Sequence, residues 1–174
     1  MTNIKKNKVE YTVYLNMQPS SISPKYIEAI LPNWKTVNES KTINGIACKK
    51  ATRSLFGRKW VAWYSSKYPM PFGPYKFFGL PGLILRVEDE TQSYIFEIIS
   101  IIHRERKQPT TVHENIKIMN KGAAIKLYNN NRFSMARWNG AKMDPEIYKK
   151  LQSKAKEGQK NYNNPIELKP FEYK

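Results

Sequence analysis

Apolar and polar residues alternate along residues 9–17, with Tyr11, Val13 and Leu15 on one face, and this period of two predicts a strand. The preceding residues 1–8 are polar and basic and read as a frayed end. PSSISP at 19–24 breaks the strand, and a short helical turn is predicted over 25–31. Pro32 ends that turn, because the residue before a proline is pushed out of helical geometry. Residues 41–65 predict two strands joined around Phe56 and Gly57, where glycine supplies turn geometry that a Cβ resists. On the second of them Val61 and Trp63 share one face while Trp60, Ala62 and Tyr64 share the other, so burial is expected on both. LILRVE at 83–88 and SYIFEIISII at 93–102 predict a second hairpin across DETQ.

Between these hairpins, residues 68–82 read YPMPFGPYKFFGLPG. Four prolines and three glycines forbid a helix interior and interrupt any central strand, which predicts a structured loop. Leu80, Pro81, Gly82 and Leu83 suit a type II turn, with Pro81 fixing φ and Gly82 accepting a positive one. The last third changes character. Thr111 and Glu114 stand at capping-box spacing before a predicted helix over 112–128, weakened by Gly122. Asp144, Pro145 and Glu146 are a helix start, and Ile147, Leu151 and Ala155 follow at helical spacing until Gly158 and NYNNP stop the run. The helical region as a whole spans 110–160.

These elements predict a mainly β fold with C-terminal helices, its antiparallel sheet forming a sandwich or partly open barrel. A length of 174 residues fits a single domain over 1–174. With 40% hydrophobic and 13% aromatic residues there is enough apolar surface for a core, which excludes global disorder. A net charge of +16 adds a field that attracts polyanions and anionic surfaces, whereas reading a nucleic-acid sequence needs a recognition element that is not in evidence here. Nucleic acid is therefore a possible partner and not the favoured one. The one cysteine, Cys48, excludes an internal disulfide and a cysteine-rich zinc site. No run approaches the roughly 20 apolar residues of a spanning helix, and MTNIKKNKVEYTVYL lacks the apolar core of an export signal.

Over 34–97 the residues resemble the GLPGLI family, named for the hexapeptide that stands here as Gly79, Leu80, Pro81, Gly82, Leu83 and Ile84. ESKTINGIACKKA at 39–51, WVAWY at 60–64 and FGPYKFFGLPGLIL at 72–85 accompany it, and NNPIEL at 163–168 looks like the closing segment of that family. The resemblance implies an uncharacterised protein of Gram-negative bacteria, exported to the periplasm or cell envelope. The family has no agreed catalytic residues to carry over. Its members usually carry a signal peptide and a longer β-rich segment before the signature, from which this sequence departs.

Candidate chemistry is sparse. Cys48 is followed by Lys49 and Lys50, but adjacent strand residues face opposite ways and the histidines, His103 and His113, have no local motif, so the thiol reads as a small buried hydrophobe. Two histidines without a third spaced ligand make no zinc site. Glu88, Asp89 and Glu90 read as a solvated turn. Gly73, Gly79 and Gly82 match no phosphate-loop spacing and lie among prolines lacking the required N–H groups; with Pro74, Leu80 and Pro81 they read as a structural signature. No catalytic residue, metal site or cofactor is assigned.

The candidate ligand-binding set is Trp60, Trp63, Tyr64, Phe72, Tyr75, Lys76 and Phe77, joined by Phe78 and the cations Arg58, Lys59 and Lys67. Exposed rings there would stack on a ligand while cations hold an anionic group; buried rings would fill the core. The predicted function is a non-enzymatic envelope binding module, its partner an envelope protein, an extended peptide or an anionic amphipathic ligand. An enzyme and a nonspecific nucleic-acid binder are the competing classes.

Overall fold

The computed structural model describes residues 2–5, 8–13, 23–102, 116–132 and 144–170. The chain divides into two compact units, Met1–Ala29 with Pro109–Pro165, and Ile30–Gln108 with Ile166–Lys174. Both are built on sheets, and the mainly β expectation holds. No closed barrel forms among the described residues.

In the first unit, β1 (Thr2–Lys5), β2 (Lys8–Thr12), β3 (Ser23–Ala29) and β9 (Ile116–Ile118) make a sheet in the order β1-β2-β3-β9. β1 and β3 flank β2 antiparallel, and β9 joins β3 in parallel. Tyr11 and Tyr26 stand opposite each other with ring centroids 5.5 Å apart. The supposed frayed end is thus partly a paired strand, and the helical turn over 25–31 is strand β3. A buried charge disguised its period. Tyr26, Glu28 and Ile30 point inward while Ile27 points out, and Glu28 is tolerated inside because Lys121 Nζ lies 2.6 Å from its Oε2.

The helix expected over 112–128 begins later, as α1 (Lys121–Arg132), and residues 116–118 are β9. The carboxamide oxygen of Asn120 accepts the N–H of Ala123 at 2.8 Å, so the start is capped there. Gly122 falls in the first turn. Thr111 and Glu114 lie outside the described residues, as does Leu15. Helix α2 (Pro145–Lys160) starts where expected, the Asp144 carboxylate accepting the N–H groups of Glu146 and Ile147 at 2.8 and 3.4 Å.

The second unit is a five-stranded antiparallel meander in chain order: β4 (Lys35–Ile43), β5 (Ile46–Leu55), β6 (Arg58–Ser65), β7 (Leu83–Asp89) and β8 (Ile95–Glu97). Both β-hairpins bracketing β5 turn on two residues at positive φ, Asn44 and Gly45 (48° and 75°), then Phe56 and Gly57 (51° and 81°). That is the geometry matching the twist of paired strands. The Asn44–Gly45 pair and strand β4 before it were not anticipated, although Asn-Gly is a strong hairpin signal.

Trp60, Ala62 and Tyr64 lie buried on one face of β6, as the alternation predicts. On the other, Trp63 joins Ile43, Cys48 and Leu85 in a smaller core, with Val61 partly buried beside it. β8 is shorter than the run 93–102. After Ile98 donates to the Leu85 carbonyl at 2.8 Å, pairing along β7 stops, because the next β7 amide, Ile84, already donates to Phe72 in the loop at 2.9 Å.

Candidate functional site

The proline-rich loop between β6 and β7 is tied within itself and to the start of β7 by backbone bonds. Gly79 N–H reaches the Pro71 carbonyl at 3.0 Å, Leu83 N–H that of Tyr68 at 2.9 Å, and Phe72 and Phe78 form an isolated bridge. The expected type II turn does not occur. Gly82 N–H donates instead to the Leu80 carbonyl at 2.7 Å, closing a three-residue turn centred on Pro81, whose fixed φ suits it. Gly82 is required for space: a Cβ would stand 2.2 Å from the Ser65 carbonyl oxygen. Gly79 is limited both by its φ of +88° and by space, since its Cβ would fall 2.2 Å from Cβ of Pro32. At Gly73 a Cβ would lie 2.9 Å from the Ile84 side chain.

The aromatic set separates into core and surface. Phe77 is fully buried, with ring centroids of Trp60 at 4.6 Å, Tyr75 at 6.1 Å and Trp34 at 6.2 Å. Trp60 donates its indole N–H to the Leu55 carbonyl at 3.2 Å, and Trp34 donates to that of Phe78 at 2.8 Å. Trp63, Tyr64 and Phe78 are buried as well, with the Lys41 ammonium 4.1 Å from the Trp63 ring centroid. Tyr75 is half-buried at φ +53°, and Phe72, 49% exposed, is the most open ring of the set.

Lys76 does not reach solvent. Its side chain is 0% exposed, and Nζ lies 2.5 Å from Glu167 Oε1, a carboxylate that also accepts the Tyr75 hydroxyl. The rings of Phe56 and Tyr75 lie near the ammonium, with centroids at 5.2 and 5.1 Å. Glu167 arrives on a closing segment held at three further places of the same unit. Lys169 N–H donates to the Phe56 carbonyl at 2.9 Å, Leu168 and Lys169 crowd Gly57, and the Ile166 carbonyl accepts Arg58 Nε at 3.1 Å. The signature loop and Ile166 to Lys169 of the closing segment are therefore one packed assembly.

Arg58 also pairs with Asp89 at 2.9 Å, both side chains buried. Asp89 is thus not part of a solvated turn. Burial pushes its carboxyl upward, but the Thr91 hydroxyl, the Tyr94 N–H and Arg58 together overcome this and hold it below the ordinary carboxylate range. Glu88 and Glu97 instead hold Arg86, at 2.6 and 2.5 Å, while Lys59 and Glu90 form an exposed pair. The Cys48 thiol is raised by burial, opposed by the Ile43 backbone and Lys41, and it donates to the Ile46 carbonyl at 3.3 Å. That environment suits packing better than nucleophilic attack. Among the described residues no group of three His, Cys, Asp or Glu is placed to hold a metal ion; His103 and His113 lie outside them.

One concavity stands out within this unit. A groove of about 510 Å³ runs between the loop at Phe72, Gly73 and Pro74, the start of β7 at 83–85, and the edge strand at 95–98. Its rim carries half-exposed Phe72 and Ile95. β8 ends the sheet, so one side of it has no strand partner among the described residues. Of the predicted ligand-binding residues only Phe72 lines this groove. Leu83 and Ile84 belong to the hexapeptide but were not assigned to a site, and Ile95 to Ile98 carry no motif; a mostly apolar run at the end of a meander was their only signal.

Comparisons with known proteins add a family of unknown function and a fold. The family model described as "Protein of unknown function (Porph_ging)" matches residues 55–86. No curated protein matches. Two solved structures of PNGF-II, in space groups P21 and C2, are similar with TM-scores of 0.54 and 0.53 at 18% identity. Each likeness covers 72% of this chain and 23% of that one, so the chain spans less than a quarter of the length of PNGF-II. At that identity the likeness is one of fold. The span 55–86 holds Trp60, Gly73, Lys76, Phe77, Gly79 and Gly82, so the stretch shared with the family of unknown function is the packed loop and the two strands it joins.

Proposed function

We propose that this chain is a GLPGLI-type envelope protein whose function is binding, and that it seats an extended peptide segment of a partner protein along the free edge of β8. The observation that carries this reading is the coincidence of a sheet edge without a strand partner among the described residues with an apolar groove at the same place. An extended peptide satisfies both, because its backbone adds a strand to the ladder while alternate side chains enter the groove beside Phe72 and Ile95. The envelope assignment rests on the signature, on its packing against the closing segment, and on the match to a family of unknown function. No helix of the described residues is long and apolar enough to cross a membrane.

Enzymatic readings draw less support from this groove. Its one carboxylate, Glu97, is engaged by Arg86, and the rest of its lining is apolar or glycine and proline. A library of random ten-residue peptides displayed against the full chain tests the proposal. Selected peptides should alternate apolar residues, protect the amides near 95–98 from hydrogen exchange, and lose at least about tenfold in affinity, roughly 1.4 kcal/mol, on Phe72→Ala or Ile95→Lys. Selected peptides that bind both variants as well as the wild type would overturn it, as would tight, salt-resistant binding of random duplex DNA in place of any peptide.

A further inference from the structure

Helix α2 has no buried residue, and no described element packs along it. Its sequence is nevertheless two-sided. Ile147, Leu151 and Ala155 recur at intervals of four, Tyr148 flanks them, and Ile147 is 54% exposed. Lys150 and Lys154 border this stripe on its other side, while Lys149, Lys156 and Lys160 occupy the far face. Against five lysines stand two acids, Glu146 and Glu157, and Glu146 lies in the first turn, where it complements the helix dipole. A helix of 16 residues with no described element packed along it is marginal in water, so a surface covering the stripe would stabilise it.

We propose that α2 is an interfacial helix that docks on an anionic phospholipid surface, laying Ile147, Tyr148 and Leu151 into the boundary between headgroups and acyl chains. Charge complementarity selects this occupant: the lysines meet anionic headgroups, Lys150 and Lys154 extend their alkyl stems along the boundary, and the net +16 of the chain draws the same surface. Nucleic acid would satisfy the lysines and leave the apolar stripe in water. The stripe is narrow and is not a membrane anchor by itself; each lysine near such a surface contributes roughly fivefold in affinity, so apolar contact and charge must act together.

The test is cosedimentation of the full chain with vesicles of phosphatidylcholine alone and of phosphatidylcholine with 30% phosphatidylglycerol, both at about 0.15 M salt. Binding is expected only to the anionic vesicles. Ile147→Ser keeps the charge and should weaken binding about tenfold, and Lys150→Glu with Lys154→Glu should abolish it. All three positions are exposed, so unchanged thermal unfolding should accompany each change. An environment-sensitive dye on Ile147→Cys should brighten with anionic vesicles, Cys48 being buried and spared from labelling. Equal vesicle binding by Ile147→Ser would reduce the effect to the bulk charge of the molecule and overturn the proposal. An unchanged dye signal would overturn it too, as would a helix-dependent preference for duplex DNA. The groove variants Phe72→Ala and Ile95→Lys should leave vesicle binding intact, which separates this inference from the peptide-binding one.

Discussion

Removing the Glu167 carboxylate is the sharpest perturbation the fold offers. In Glu167→Ala the Lys76 ammonium stays where it is, with a side chain 0% exposed, and loses the oxygen 2.5 Å away. Stripping one partner from a buried ion pair costs roughly 3–5 kcal/mol, because the remaining charge loses its carboxylate. The Phe56 and Tyr75 rings near Nζ offset part of this, while the Tyr75 hydroxyl loses an acceptor worth about 1 kcal/mol. The two corrections nearly cancel, and a net loss of about 3 kcal/mol is expected. Lys76→Met should cost less, since Glu167 is 9% exposed and keeps the Tyr75 hydroxyl. With a urea slope of roughly 1–3 kcal/mol/M, the Glu167→Ala midpoint should fall by at least about 1 M at unchanged slope. Combining Lys76→Met with Glu167→Gln should recover most of the loss, since no buried charge then remains. A Glu167→Ala loss below about 1 kcal/mol, or strictly additive effects in the double variant, would refute the claim that this pair fastens the closing segment to the loop.

Gly79→Ala should destabilise by more than about 2 kcal/mol, since the added methyl meets Pro32 as well as an unfavourable φ, whereas Gly45→Ala, also at positive φ but with open space around it, should cost only about 1 kcal/mol. Paired denaturant titrations read the difference, and equal costs would remove the steric part of the argument. Asp89→Asn tests the second buried pair through pH. Because the folded carboxyl is held below its unfolded value near 3.9, its stabilisation is complete above that value and is lost as pH falls through the lower folded one. The stability gap between wild type and Asp89→Asn should therefore be widest near neutrality and should shrink below about pH 4; a gap independent of pH would reject that assignment.

How legible all this was in the sequence depended on where charge sits. Strand β5 alternates buried and open positions, β6 carries apolar bulk on both faces, and their hairpin at Phe56 and Gly57 was readable, as was α2, whose Asp144 cap and Pro145 act locally. β3 was not, because Glu28 faces inward on a partner 93 residues away while Ile27 faces out. No local window contains Lys121. The proline-rich loop was recognised as structured, but its turn was not, since what Gly82 must avoid is a carbonyl of Ser65 brought close only by the fold. The same limit governs the candidate site. Aromatic density pointed to the loop that borders the groove and, for Trp60, Trp63, Tyr64 and Phe77, to rings that the core encloses. The groove depends instead on where β8 stops, and that is decided by the hydrogen bond Phe72 takes from Ile84.

The buried pairs also bear on the character of the surface. Glu28, Asp89 and Glu167 are three of the fourteen acidic residues, and each is held inside against a cation. Every such pair is neutral, so burying these acids leaves the net +16 of the chain unchanged. Interior ion pairs of this kind fix which segment meets which, here closing segment to loop and helix to strand, more than they raise stability. Long-range attraction to an anionic partner is general and is screened beyond about 8 Å at physiological salt. Selectivity must then come from short-range features that salt does not touch, and the described surface offers two that differ in shape. A groove at a strand edge accepts an extended chain; a helical stripe bordered by lysines accepts a planar boundary. The first should be blind to lipid composition and the second to Phe72.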